Sequence, residues 1–326
     1  MAPAPTRDNG TVAYDIIGDI HGHAQTLEAL LIELGYSCED GVYRHAERQA
    51  VFLGDFIDRG PQQRRVIGIV RPMIESGAAL SVMGNHEFNA IAYATPRAGG
   101  GYLREHNAKN FQQHHAFLDA YVDADDYHEL IDWFGTLPMW LDLGELRIVH
   151  ACWDRAMIEE LGKRYDATGR LSNSLLYAST THGNWEFRAV ETLLKGKEIV
   201  LPAGQSFFDK EGTERHNIRV RWWDRNARTY KEAYMGDETA RTHIPEDRLA
   251  VDHVIEYSHE DPPCFVGHYW LWGEPKPLAA NIACLDYSVA RKRGKLVAYR
   301  WDGERELDER KFVSMNALEH AVATIP

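Results

Sequence analysis

Long hydrophobic runs are missing from this chain. No apolar stretch approaches the roughly 20 residues of a membrane-spanning helix. Positive charge is also scarce: 36 Lys and Arg face 49 Asp and Glu, a net charge of −13. Nonspecific binding to DNA, RNA or an anionic membrane needs basic surface, so neither a nucleic acid polymer nor a membrane is an expected partner. Cysteines are few. Cys38, Cys152, Cys264 and Cys284 are scattered and form no C-x-x-C pair. In a chain of this size reduced, packed thiols are expected, which points to the cytoplasm. Internal repeats and low-complexity tracts are absent. Met1 to Gly10 is rich in Pro and Ala and has no apolar core of the signal-peptide kind, so residues 1–11 read as a flexible tail.

What remains is an ordinary globular composition, 44% hydrophobic and 26% charged over 326 residues. That length suffices for one large core. Residues 12–17 read as a buried strand. Leu27, Leu30, Leu31 and Leu34 form an i, i+3, i+4, i+7 stripe and predict a helix from Ala24, stopped at Gly35. A strand over 50–53 follows, then a helix with Pro61 in its first turn and Val66, Ile69, Val70, Met73 and Ile74 on one face. A third strand covers 79–83. This strand–motif–helix alternation predicts an α/β fold. Residues 111–134 read as mostly helical, and Gly99-Gly100-Gly101 as a turn or hinge. Further strands are expected at 146–149, 264–266, 282–285 and 295–301. The stretch 155–250 reads as charged and irregular, apart from a helix at 185–194 and a β-like 218–223. Residues 12–326 are expected to form one catalytic domain, with 88–145 and 155–255 as insertions shaping a cleft.

Three polar motifs end the first three strands: Gly18-Asp19-Ile20-His21-Gly22, Gly54-Asp55-Phe56-Ile57-Asp58-Arg59-Gly60 and Gly84-Asn85-His86-Glu87. At a strand end residues i and i+2 point the same way, so Asp19 and His21 can ligate one metal. Alone, Asp-x-His is common by chance. A carboxylate at Asp55 can bridge two cations. Asp58-Arg59-Gly60 reads either as a surface ion pair and turn or as a loop whose guanidinium grips phosphate. Asn85 offers a neutral oxygen ligand. His86, its neighbour, points elsewhere, which suits an acid beside the metals. Glu87 reads as a support for the backbone.

Taken together these blocks, with His150 in Val149-His150-Ala151 and His268 in Gly267-His268, change the weight of each. GDIHG, GDFIDRG and GNHE resemble the three signature blocks of the phosphoprotein phosphatase family of calcineurin-like metallophosphoesterases. His150 and His268 resemble its two later metal histidines. The resemblance covers about 12–87, 146–153 and 264–301, not the insertions. It implies a four-layer αββα sandwich with a dinuclear site at the strand ends. It implies that Asp19 and His21 bind one metal, that Asp55 bridges, and that Asn85, His150 and His268 bind the other. His86 would be the general acid, oriented by Asp58, and Arg59 would hold phosphate. Oxygen and imidazole donors without thiolate suit Mn²⁺ first, with Fe or Zn²⁺ as alternatives. A hydroxide between the two metals would attack phosphorus directly.

A second phosphate-gripping arginine is expected from the Trp222-Trp223-Asp224 region, with Arg221 or Arg225 as candidates; an exposed basic strand explains them as well. His23 reads as a neighbour of the site or solvent-facing, and His106, His114 and His115 as surface helix residues. Nine tryptophans are present. Core packing accounts for them, with one or two free to wall the cleft and stack on an aromatic or nucleobase group. The expected substrate is a phosphorylated protein or peptide (Ser/Thr type, with Tyr also open) or a small phosphoester. The alternatives are a nucleotide phosphoesterase such as a dinucleoside polyphosphate hydrolase, and, from another class, an inactive metal-binding regulatory module.

Overall fold

The computed structural model describes residues 12–208, 212–236, 238–250 and 252–318. The expected tail, 1–11, lies outside them. The strand Ala13–Ile17 pairs in parallel with Arg48–Phe52, and that strand pairs in parallel with Ala79–Ser81. On its other edge Ala13–Ile17 runs antiparallel to Lys295–Trp301. Asp286–Tyr287 and Phe312–Asn316 complete a six-stranded mixed sheet. A second sheet has four strands: Ile282–Cys284, Cys264–Val266, Arg147–Val149 and Trp140–Asp142 in spatial order.

Strand alternation builds the layers. Ile16, Val51, Leu53, Val297 and Tyr299 of the first sheet meet Ile148, Phe265 and Ala283 of the second in one buried cluster. Their chain neighbours Ile17, Phe52, Val149, Cys264 and Val266 point the opposite way, into the apolar helical layers. Helices Ala24–Glu33 and Gln63–Glu75 supply Leu27, Leu30, Leu31, Val66, Val70 and Met73 to one of those layers. The result is the expected αββα order.

Several elements differ from the sequence reading. The predicted 111–134 helix is two, Ala108–Tyr121 and Tyr127–Gly135. The stretch read as irregular contains helices Arg155–Arg164 and Asn173–Ser179. Side-chain oxygens of Asp154 and Ser172 cap them by accepting the N–H of Met157 and Leu175. Residues 199–244 contribute to a separate small cluster around Ile199, Phe207, Ile218, Val220 and Tyr230. Short polar-rich segments of that kind carry no periodicity long enough to read.

Candidate metal and phosphate site

The three motif loops leave the first sheet at adjacent strand ends and close on each other. Gly18 N–H donates to Val297, and the N–H groups of Ile20 and His21 both donate to Asp55 C=O, at 3.1 and 2.9 Å. Glu87 ties the loops from below. Its carboxylate accepts the N–H of Asp55, Phe56 and Gly84 at 2.8, 2.8 and 2.9 Å. Burial, then the Asp55 charge, push the Glu87 carboxyl up to about 7, while those three donors favour its anion. The backbone is strained here. Of nine non-glycine residues with positive φ among the described residues, six are His21, Asp55, Asp58, Arg59, His268 and Trp270. Such residues concentrate where surrounding structure over-determines a functional geometry. At Gly84 and Gly267 any Cβ would run into the carboxylates of Asp55 and Asp19.

Two trios of donor atoms, each within 4.8 Å of one another, share Asp55: His21, Asp55 and His86, then Asp55, His150 and His268. His21 Nδ1 donates to Ile57 C=O at 3.0 Å, which leaves its Nε2 lone pair aimed inward, 3.6 Å from Asp55 Oδ2. His150 Nδ1 donates to Leu53 C=O at 2.6 Å, and its Nε2 stands 3.4 Å from Asp55 Oδ2 and 3.2 Å from Asn85 Oδ1. His268 Nδ1 lies 2.6 Å from the same Asn85 oxygen. The shortest of these nitrogen–oxygen approaches, those at 2.6 Å, need a proton or a cation between the two atoms. Asp19 Oδ2 accepts the His268 N–H at 3.0 Å, while its buried Oδ1 has no hydrogen-bond partner, nor has His21 Nε2. Buried orphans of this kind are costly. Oxygens and imidazoles with unused lone pairs therefore fit divalent cations.

The electrostatics agree. Burial, with Asp286 next, holds the Asp19 carboxyl well above the usual range. Burial opposes charge on Asp55 as well, but His150 and His86 outweigh it and hold that carboxyl well below the usual range. On His150 burial is outweighed in turn by Asp55 and Asp19, and the imidazole is pushed up to about 10. Burial lowers His21 and His268 well below the usual histidine value, His86 adding to the first and Arg219 to the second.

Asp58 stands between two histidines. His86 Nδ1 lies 2.5 Å from Asp58 Oδ2, and His114 Nδ1 lies 2.8 Å from Asp58 Oδ1. Against burial, these two contacts hold the Asp58 carboxyl far below the usual range, so it accepts and both imidazoles donate. Gln63 locks the same loop, accepting the Asp58 N–H at 2.9 Å and donating to Gly60 C=O at 2.5 Å. His114 corrects the sequence reading. It is 3% exposed, not a surface residue, and belongs to the insertion helix Ala108–Tyr121. His106 is exposed, as expected of a surface residue, but it precedes the helix Ala108–Tyr121 and stacks between Tyr93 and Tyr102. His23 turns its ring back onto the loop, 2.7 Å from His21 C=O.

Arg59 is the exposed member of its motif, with its guanidinium 4.2 Å over the Trp270 ring. Of the expected second arginines, Arg221 feels Arg241, Asp224 and Glu238, and Arg225 is exposed. Arg219 is the arginine whose charge reaches both His268 and Tyr269. Its Nε is buried without a hydrogen bond, 3.7 Å from Glu198. The strand Asn217–Arg219 was legible as β-like, but not which basic residue lies nearest His268. A cavity of about 530 Å³ lies elsewhere, its charged lining made of Asp154, Glu159, Glu256, Glu260 and Asp261 against the single cation Arg155. Its acidic wall would repel phosphate.

Residues 14–290 match the family described as calcineurin-like phosphoesterase. The chain is 31% identical over 153 residues to the bis(5'-nucleosyl)-tetraphosphatase PrpE (asymmetrical) of Oceanobacillus iheyensis, covering 46% of this chain and 60% of that one. It is 32% identical over 173 residues to the protein of the same name from Bacillus subtilis, covering 52% and 67%. The alignments thus span about two thirds of those relatives at most. A protein serine/threonine phosphatase structure from Saccharomyces cerevisiae superposes with a TM-score of 0.49 at 13% identity, covering 97% of this chain and 84% of that one. At that likeness it bears no weight on activity.

Proposed function

This chain belongs to the calcineurin-like phosphoesterase family and is a hydrolase of phosphoester bonds, and we propose that its substrates are nucleotides, in the class of dinucleoside polyphosphates. The observation that carries the chemistry is the sharing of Asp55 between two donor trios, with a histidine held by Asp58 beside them. The names of the curated relatives favour nucleotide over phosphoprotein, reversing the order expected from the motifs.

In this reading Asp19, His21 and Asp55 would hold one divalent cation, and Asp55, Asn85, His150 and His268 the other; manganese is the first metal to test. When bound, such a pair lowers the pKa of a water it shares and offsets phosphoryl charge. The protein's own groups do the rest. Arg59 grips the phosphoryl oxygens with its planar fork, and Arg219 replaces Arg221 and Arg225 as the second cation facing that end. His86 presents Nε2 to the leaving oxygen and delivers a proton there. Asp58 fixes the tautomer and ring plane of His86, and His114 fixes Asp58.

Turnover of diadenosine tetraphosphate, a phosphoserine peptide and p-nitrophenyl phosphate should be compared on one sample of measured metal content. A diadenosine tetraphosphate kcat/KM at least about tenfold above that of the peptide is expected. The reverse order returns the phosphoprotein reading to first place, and no turnover of any substrate with Mn²⁺ leaves the inactive metal-binding module.

His114→Phe tests the positioning chain. It strands a buried carboxylate oxygen, and a loss of about 1–3 kcal/mol in stability is expected. Turnover of alkyl phosphates should fall roughly tenfold in kcat with KM and metal content unmoved, and His114→Asn should restore part of it. A fall in metal content, or a loss independent of leaving group, would show that His114 only supports the fold.

A further inference from the structure

In a chain of net charge −13, the stretch Arg291-Lys292-Arg293-Gly294-Lys295 is a local reversal of sign. It forms the turn between Asp286–Tyr287 and Lys295–Trp301, and Asp286 of that hairpin is close enough to Asp19 of the donor cluster to act on its charge. The turn is held in place by side chains already on that wall. Asp286 accepts the Trp270 N–H at 2.7 Å and the Ser288 N–H at 2.9 Å. Out of the site runs a ladder of alternating cation and ring. Arg59 lies 4.2 Å over Trp270, Arg291 lies 4.9 Å from the same ring, and Arg291 also lies 5.8 Å from Trp272. Trp270 itself sits 5.7 Å from the His21 ring, so the ladder starts at the donor cluster. At its far end Trp272, 44% exposed, lines a pocket of about 260 Å³ with Tyr287, Arg293, Lys295 and Glu274. Glu274 is paired with Lys295 at 2.8 Å, so that lone anion is already compensated.

A phosphomonoester needs none of this. Its phosphate would end at Arg59. A half-exposed indole beside clustered guanidinium groups matches one chemistry well: a purine face to stack on the ring and anionic oxygens for the cations. The pocket falls just below the roughly 300–1,000 Å³ range of ligand sites, which suits a flat base better than a bulky peptide.

We propose that the wall formed by Trp270, Trp272, Arg291 and Arg293 is an extended subsite for the far part of a nucleoside polyphosphate. Arg291 and Arg293 take phosphates beyond the one attacked, and Trp272 takes the distal base. This rests on the nucleotide reading above and gives it a place on the molecule.

The test uses Trp272→Ala and Arg293→Asn in the full chain. Trp272 is exposed, and asparagine tolerates the left-handed backbone of Arg293 (φ 65°). Kinetically, the kcat/KM ratio of diadenosine tetraphosphate to p-nitrophenyl phosphate should fall at least about tenfold in the pair of substitutions, mostly through KM, since stacking on an aromatic side chain is worth roughly that much per base. A ratio within twofold of the parent overturns the subsite. Binding is read separately, with ATP and with inorganic tripolyphosphate on EDTA-treated protein. Trp272→Ala should weaken ATP about tenfold and spare tripolyphosphate, whereas Arg293→Asn should weaken both. Equal effects of Trp272→Ala on the two probes, or no ATP binding by the parent, overturn the base assignment. Should the parent bind ATP in this way yet turn over only phosphopeptides, the substrate reading fails while the subsite stands.

Discussion

Asp55→Asn is expected to leave a folded protein that holds at most one divalent ion per chain and turns over at least about 10³-fold more slowly. The carboxylate is the single group common to both donor trios. Asparagine keeps its shape and one oxygen, and can still accept the His86 N–H that Asp55 Oδ1 accepts at 2.9 Å. What is lost is the charge and the second anionic oxygen facing His21, His86 and His150 at 3.6, 3.8 and 3.4 Å. Removing one preorganised electrostatic partner from an active site costs roughly 10²–10³ in rate, and a bridging group acts on two. Metal content by elemental analysis and turnover with saturating Mn²⁺ should be measured together. Two ions per chain in the variant would refute the shared role of Asp55, whatever the rate.

His86→Asn should separate the proton from the metals. Both ions are expected to stay. In the folded chain His86 Nδ1 is committed to Asp58, and its Nε2 reaches no closer than 3.8 Å to Asp55 Oδ2. Asparagine cannot hand a proton to a leaving oxygen, so kcat should fall by about 10²–10⁴ for alkyl phosphates. The loss should shrink for p-nitrophenyl phosphate, and also for a nucleoside polyphosphate leaving group, because a phosphate whose second pKa is about 6 departs largely without help. A plot of log kcat against leaving-group pKa should therefore be steeper in the variant than in the parent. Parallel plots would sink the acid role. Loss of one metal instead would make His86 a ligand, as its place in the first donor trio allows.

The second of these results bears on His86, whose neighbour in the sequence, Asn85, is expected to do different work. The sequence separates Asn85 from His86 because the third motif ends a strand and begins the helix Asn85–Ala94, and consecutive side chains there diverge. In the same way the stripe of leucines after the first motif, and the apolar face after the second, make the strand–loop–helix units legible. Each signal is local, spanning about two turns of helix or one short strand.

Other parts had no such signal. Nothing near His114 marks it as a partner of Asp58, 56 residues away, because an isolated histidine on an amphipathic helix looks alike whether it meets solvent or a buried carboxylate. Arg219 lies on the three-residue strand paired with Glu198–Val200, whereas Arg221 and Arg225 follow that strand, and so short a pairing leaves no periodic signal to tell the three apart. Trp270 and Trp272 read as core candidates equal to Trp222, which is fully buried and donates to Ala151 C=O.

The sequence by itself determined the strand–loop–helix alternation of an α/β fold and the residues gathered at the first three strand ends, because period-two strands and period-3.6 helices write their buried faces into neighbouring positions; the αββα layering was an implication of the family resemblance. Tertiary structure alone decided which distant groups meet: the histidine behind Asp58, the arginine whose charge reaches His268, and the tryptophan stacked against Arg59. Those choices depend on how surfaces far apart in the chain meet, and contact between them leaves no periodic mark in either segment.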